Sequence, residues 1–400
     1  MSNLDRTIIT ILGGGSVWTP YLIQLLDQEE WCINCEFRLY GQNFKTLRDT
    51  KDFILCSATH IKHFKIMTEF KDAVSNSSII VNQVRIGGQG ARYKDETVSM
   101  KYNCVADESL GLGGLRSVKR SLPFINSAAK AIQKSAPDAW ILNLTNPTDL
   151  ISRIWIENGC RKVLSLCEHA QLHLKRLCRY LNNSISCNEF GFIGMIHMGW
   201  AIPPEETELK SILCEDPELN AYINRFGAIP TKWRRVYDYP EILADEQKRA
   251  KESRAKVLLN LTDLLRETIR NRDKRKYNEL IRRRNPVWYS EIVIPAIKAL
   301  MGVQPNKMII GLPSGHRIAG LNPNVQVETW TNLDENGPNP LSPPDNMACI
   351  QDVVELGDTR DLLIRYLKDQ RDNNLDNYLR SDAFFRPLLR NKDYKKLIFS

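Results

Sequence analysis

The side chains of this sequence that could do chemistry gather in three short segments: Cys167-Glu168-His169, Gly194-Met195-Ile196-His197-Met198-Gly199-Trp200 and Asn143-Leu144-Thr145-Asn146-Pro147-Thr148-Asp149. Each closes an apolar run, and a residue just past such a run stands at the carboxyl end of a strand, where open α/β sheets bind their ligands. The Cys167 thiol and the His197 imidazole, projecting from neighbouring strand ends, suit an open divalent-metal site completed by substrate oxygens and water. Taken singly, either residue is more often a packed core side chain, so it is their joint position that favours the metal.

A fourth segment points to a cofactor. Residues 8–12 form an apolar run that breaks on Gly13-Gly14-Gly15-Ser16 into the helical pattern of Tyr21, Leu22, Leu25 and Leu26. Such a loop accepts a pyrophosphate, because glycine lets the backbone approach closely and the first helical N–H groups supply donors. The same glycines would also serve a tight turn between a closely packed strand and helix. An acidic residue about 20 positions further on would bind the ribose hydroxyls of NAD. Here the next strand instead runs into Gly41-Gln42-Asn43, which offers neutral hydrogen bonds. NAD is the first candidate, and NADP stays open, with Arg38 or Lys45 near a 2′-phosphate.

A sheet must position these segments. Apolar runs at residues 8–12, 37–40, 64–67, 78–82 and 139–144 alternate with helical patterns, which predicts a doubly wound parallel sheet of the Rossmann type. Runs at 162–166 and 189–196, separated by a helical stretch at 169–181, would extend it. Beyond lie helical patterns at 217–225, 240–272 and 288–301, short strands at 307–311 and 325–329, a proline-rich loop at 336–344 and a helix at 348–370. The fold class is α/β, with a dinucleotide-binding domain over 1–200 and a mixed, mainly helical domain for substrate binding and oligomerisation over 201–400.

Composition narrows the function. The chain has 400 residues, 42% of them hydrophobic and 26% charged, enough to bury a core. It has no apolar run of about 18 residues and no cationic start leading into an apolar stretch, which predicts no membrane partner and a cytoplasmic protein. The ten cysteines are scattered, as expected of packing thiols or one metal, and the CxxC spacing of Cys32 and Cys35 has no second pair. The net charge of +8 concentrates over 248–284, where basic residues interleave with acidic ones as on a solvated helical face. No basic patch with stacking aromatics suggests nucleic acid, and an anionic small substrate accounts for the excess equally well.

Several segments in register then resemble one family. These are the glycine loop with Thr19-Pro20, the stretch from Gln83 through Glu96, Glu108, Gly113-Gly114-Leu115-Arg116, Asn143 to Pro147, Cys167 and the His197 segment. Arg284-Asn285-Pro286-Val287-Trp288-Tyr289-Ser290 and Gly311-Leu312-Pro313-Ser314-Gly315 follow. Together they resemble glycoside hydrolase family 4, the NAD- and manganese-dependent glycosidases that include 6-phospho-glucosidases, α-galactosidases and α-glucuronidases. The resemblance implies a lactate/malate dehydrogenase-like fold and an exception to two-carboxylate glycosidase chemistry. Hydride leaves C3 of the sugar for NAD, C2 loses a proton, the aglycone is eliminated from C1, water adds and the steps reverse. It implies Cys167 and His197 as ligands of Mn2+ or another divalent metal, Arg92 as a substrate-facing arginine, and Asn146 as a substrate or nicotinamide contact. Arg284 would lie near the distal end of the substrate, and Glu168 would protonate the leaving group or stand as a surface charge. A homodimer or homotetramer is implied as well.

The chain also departs from the family. The C2 base there is a tyrosine shortly after an Ile-Pro; here Ile229-Pro230 leads to Trp233 at that position, and an indole cannot be the base. Tyr237 or Tyr239 could take over by a one-turn shift, helped by Lys232 or Arg234 lowering a phenol pKa, unless both simply pack. Ile196 replaces a polar residue, and Arg92, Arg116 and Arg284 could form an anion site. The leading expectation is an NAD- and metal-dependent glycosidase for a glucoside-like substrate, with phosphorylated and carboxylated sugars both open. A sugar 3-dehydrogenase without cleavage is the alternative, and a silent dinucleotide-binding scaffold is a third.

Overall fold

The computed structural model describes residues 6–56, 58–181, 185–204, 217–390 and 394. Its first half follows the apolar runs closely. Strands β1 (Thr7–Leu12), β2 (Cys35–Tyr40), β3 (His63–Met67), β4 (Ile79–Asn82), β5 (Trp140–Asn143) and β6 (Val163–Ser165) lie parallel in the order β3-β2-β1-β4-β5-β6. Strands covered on both faces are mostly apolar, and β2 and β4 are buried at every position, with Glu36 and Arg38 of β2 paired to each other. On one face Leu12, Ile80 and Ile141 pack with residues of the helices Gly111–Ser135 and Thr148–Glu157. On the other, Ile9, Ile11 and Phe37 meet the helices Thr19–Leu26 and Ile294–Leu300. Cys32 and Cys35 are buried free thiols in that second layer, as packing requires.

The sheet then changes character. It continues from β6 as β10 (Asn306–Pro313), β11 (Gln326–Asp334), β7 (Gly191–Met195), β8 (Met198–Ile202) and β9 (Ile229–Pro230), with β12 (Gly337–Pro340) on β11. All these pairings are antiparallel. The expected parallel extension by residues 189–196 therefore does not form: β7 turns directly back on β8, a local pairing that costs little loop entropy. The edge of β6 is covered instead by a hairpin from the far end of the chain, so one 12-stranded sheet runs through both halves. The proline-rich stretch expected as a loop supplies β12, an edge strand where a missing N–H costs nothing. The helical pattern at 240–272 divides into Pro240–Arg249 and Arg254–Arg270, because the Ser253 hydroxyl accepts from the Lys256 N–H at 3.2 Å and starts a new helix. Among the described residues no helix is long and apolar enough to cross a membrane.

One residue offered for cofactor binding belongs to the core. Arg38 is buried on β2, 2.6 Å from Glu36, and donates to the carbonyls of Asp72, Ala73 and Ser75 at 3.1, 3.3 and 2.6 Å. It is consumed in tying β2 to the segment after β3 and does not reach a 2′-phosphate. Arg38→Met should lower the unfolding free energy by about 3 kcal/mol. Urea denaturation would show this as a lower midpoint with an unchanged slope.

Candidate functional site

A cavity of about 1150 Å³ opens beyond the carboxyl ends of the parallel strands. Of the side chains singled out in the sequence, Arg92, Asn146, Cys167, Glu168, His197 and Arg284 line it, together with Gly13, Gly15 and Ser16. The division of strand order between β1 and β4 lies below it, the usual place for a ligand in a doubly wound sheet.

The glycine loop is shaped first by the chain itself. Gly13 has a left-handed φ of +79°, and a Cβ at Gly14 would lie 2.7 Å from Leu39 Cα, so Gly14 serves contact with β2 and does not line the cavity. The amides of Ser16, Trp18 and Thr19 donate to Gly13 O, Ser16 Oγ and Ser16 O. The helix N-terminus is thus less open than expected. Among the described residues, the Gly15 and Val17 amides have no such partner, and both residues face the cavity. A loop with two open amides at a helix start fits a pyrophosphate.

Asn146 is held by its neighbours: Ser117 Oγ donates to its carbonyl at 3.2 Å, and the buried Asn143 amide donates to Thr148 O and Ser152 Oγ at 3.1 and 3.0 Å. Asn143 is thereby structural, and Asn146 is the amide presented to the cavity.

Cys167 and His197 do not stand on neighbouring strands, since β10 and β11 separate β6 from β7. They nonetheless reach the same cavity. His197 occupies the two-residue turn of the β7–β8 hairpin at a left-handed φ of +61°. Thr231 fixes that turn, its hydroxyl donating to His197 O at 2.7 Å and accepting from the Gly199 N–H at 3.1 Å. The His197 Nδ1 is buried without a hydrogen-bond partner, and the His169 ring meets the His197 ring edge-on at 5.1 Å. Burial, then Glu168 and Glu328, pushes the Cys167 thiol well up. An unpartnered imidazole nitrogen and an electronegative thiol pocket fit a divalent ion. Among the described residues no group of three His, Cys, Asp or Glu side chains could hold one, so such an ion would need oxygen ligands from substrate or water.

The sequence reading missed Glu328. It lies on β11 opposite Gly194, fully enclosed, and burial followed by Asp149 and Glu168 raises its carboxyl to about 8. A glutamate inside the apolar run 325–329 was the available signal.

The arginines separate by role. Arg92 is buried and clamped, 2.6 Å from Glu96 and 2.9 Å from Glu108. Burial alone would raise the Glu108 carboxyl, but Arg85 and Arg92 outweigh it and hold it well below the usual range. Arg284 lies over the Trp288 ring at 4.9 Å, and burial with nearby Arg254 lowers its pKa. Arg116 is not part of an anion site: it pairs with Asp95 at 2.8 Å and does not line the cavity.

The two substitute phenols lie apart from the cavity. Tyr237 packs edge-on against Phe384 and donates to Ser381 O at 3.3 Å, while Tyr239 is 52% exposed, and neither lines the cavity. Burial, then Asp382, raises the Tyr237 pKa, the opposite of activation, and Arg234 is engaged with Asp352 at 2.7 Å. Trp233 does face the cavity, stacked on His197 with ring centres 6.2 Å apart. Ile196 is buried in the core beside Trp200, so its exchange concerns packing.

Family models match nearly the whole chain: the family 4 glycosyl hydrolase model over residues 8–183 and its C-terminal domain model over residues 188–355. The chain belongs to the family 4 glycosyl hydrolases. It is 21% identical over 371 residues to the 6-phospho-beta-glucosidase of Escherichia coli (strain K12), covering 83% of this chain and 80% of that protein. It is 28% identical over 231 residues to the maltose-6'-phosphate glucosidase of Bacillus subtilis (strain 168), covering 56% and 50%. The 6-phospho-beta glucosidase of Thermotoga maritima, solved with manganese, NAD+ and glucose-6-phosphate, superposes with a TM-score of 0.81 at 18% identity over 98% of both chains. Malate dehydrogenase of Cryptosporidium parvum gives a TM-score of 0.51 at 13% identity, over 91% of this chain and 99% of that one. The fold of this family 4 chain is accordingly of the dehydrogenase type.

The raised carboxyl of Glu328 carries a pH signature. Protonated Glu328 is favoured in the folded state, so its contribution is full below the ordinary value of 4.5 and is lost as the pH rises through about 8. Glu328→Gln cannot ionise and should gain thermal stability relative to the parent chain progressively over that range. Equal melting differences at both ends would refute the assignment.

Proposed function

We propose that this chain is a glycosidase that uses a nicotinamide dinucleotide and a divalent metal ion to cleave a 6-phosphorylated glucoside through oxidation at C3, loss of the C2 proton and elimination. The observation that carries the reading is one cavity lined by the Cys167 thiol, the His197 imidazole with its unpartnered Nδ1, the glycine loop and Asn146. When bound, the dinucleotide would accept hydride and the metal would polarise the sugar oxygens beside the reacting carbons. Cys167 and His197 would hold the ion, and the Gly15 and Val17 amides would meet the pyrophosphate. Arg92, held rigid by Glu96 and Glu108, presents a fixed donor to the sugar, and Asn146 orients sugar or nicotinamide. Glu168, at the head of the helix His169–Tyr180, is the carboxyl offered to the leaving group. The sugar phosphates named for the relatives, and the pair Arg254 and Arg284 in the cavity wall, support an anionic substrate.

A second reading has its own observation. Trp233 covers His197 where a basic phenol is expected, and Tyr237 and Tyr239 lie outside the cavity. A chain that lacks the C2 base would stop at the 3-keto sugar and act as a dehydrogenase.

Mass spectrometry of products from 6-phosphorylated and unphosphorylated glucosides, with NAD+ and manganese in deuterated water, separates the two. Aglycone release with deuterium at C2 is the expected result. A sugar lighter by two hydrogens, with matching NADH and no cleavage, would establish the dehydrogenase. Cys167→Ser should weaken manganese binding by at least about a hundredfold, read by electron paramagnetic resonance. Unaltered binding would remove the thiol from the metal site.

A further inference from the structure

One helical stripe forms part of the cavity wall. Arg254, Leu258, Thr262 and Arg266 recur every four residues on the helix Arg254–Arg270, and all of them line the cavity. The stretch from Arg254 to Arg266 rises about 18 Å, which sets one guanidinium at each end. Arg254 lies at the sugar end, near Arg284. Arg266 lies at the other. Beside it, Leu265 and Ile269 pack with Val17 of the glycine loop and with Phe53 of the helix Phe44–Leu55, which follows β2, and Asp49 of that helix acts on its charge.

If the cavity takes a dinucleotide as proposed above, this is its adenosine end, because it lies beside the loop after the second strand. In an NAD site a carboxylate after the second strand takes the ribose hydroxyls and disfavours a 2′-phosphate. After β2 stand Gly41-Gln42-Asn43, all lining the cavity, and the Asn43 carboxamide already accepts from the Thr46 N–H at 2.9 Å. The cations of β2 and its loop do not serve: Arg38 is enclosed in the core, and Lys45 does not line the cavity. Arg266 is half-buried and, among the described residues, has no ion pair or hydrogen bond; Asp49 pairs instead with Arg270 at 4.0 Å. Burial, then Arg270, lowers the Arg266 pKa, so its charge is held where an anion would be welcome.

We propose that this end of the cavity takes a dinucleotide phosphorylated at the adenosine 2′ position, and that Arg266 reads the phosphate. The proposal rests on the cavity being a dinucleotide site, and it departs from the NAD+ found with the Thermotoga maritima relative. A guanidinium on a phosphate is a charge-assisted contact, which corresponds to about tenfold to a hundredfold in affinity.

Calorimetric titration of the full chain with NADP+ and with NAD+ tests it. NADP+ should bind at least about tenfold more tightly, and Arg266→Gln should bring its Kd to that of NAD+ while leaving the NAD+ value within about twofold. Tighter binding of NAD+ by the parent chain would overturn the proposal alone. So would an equal loss for both dinucleotides in the variant, which would place Arg266 on the shared pyrophosphate. Binding of neither by the parent would overturn the dinucleotide reading together with it.

Discussion

The two halves of the sheet are joined by a seam so short that glycine has to make it. Gly311 of β10 pairs with Ser165 of β6, and a Cβ at Gly311 would lie 2.7 Å from Ser165 Cβ. On the far side β11 meets β7 through Glu328 and Gly194 and through Thr329 and Ile193, and within the β7–β8 hairpin a Cβ at Gly194 would lie 2.6 Å from Gly199 Cα. Contact at this distance is closed to any larger residue. Everything at the site depends on the seam, because Cys167 follows β6 and His197 follows β7. The hairpin between those strands keeps them apart in the sheet, while their loops turn toward each other, as the contact of His169 with His197 shows.

Charge of both signs surrounds the cavity. Acidic groups collect behind Cys167, where Glu168, Glu328 and Asp149 all act to keep the thiol protonated. Among the basic groups, Arg92 is neutralised by two carboxylates, while Arg254, Arg266 and Arg284 line the cavity. Asp149 is paired with Arg360 at 3.3 Å, so the burial of that carboxylate is compensated within the chain. A divalent ion near Cys167 and an anionic ligand near the arginines would suit this arrangement.

The parallel half was legible because its signal is local. Residues 8–12 and 78–82 alternate with helical patterns, and each became a strand of the expected parallel sheet. The ends of those strands were legible too, so Asn146, Cys167 and the glycine loop lie where the sequence put them. The antiparallel half was not, because β10 and β11 pair with strands more than a hundred residues earlier, and no local pattern encodes that choice. The stripe from Arg254 to Arg266 read as solvated for the same reason. Its spacing puts the residues on one face, but only packing on Val17 and Phe53 turns that face to the cavity.

The sequence by itself determined the family, the parallel core and the residue types offered to a metal and a dinucleotide, since these follow from spacing along a single strand, turn or helix. The tertiary structure decided which groups share the cavity. Trp233 and Tyr237 are four residues apart on one helix, about 6 Å along its axis. That rise leaves the indole over His197 and carries the phenol onto Phe384. Which side chain of a short helix meets the ligand depends on where the helix is anchored, and here the anchor is the Thr231 hydroxyl, bound to the His197 turn from 34 residues away.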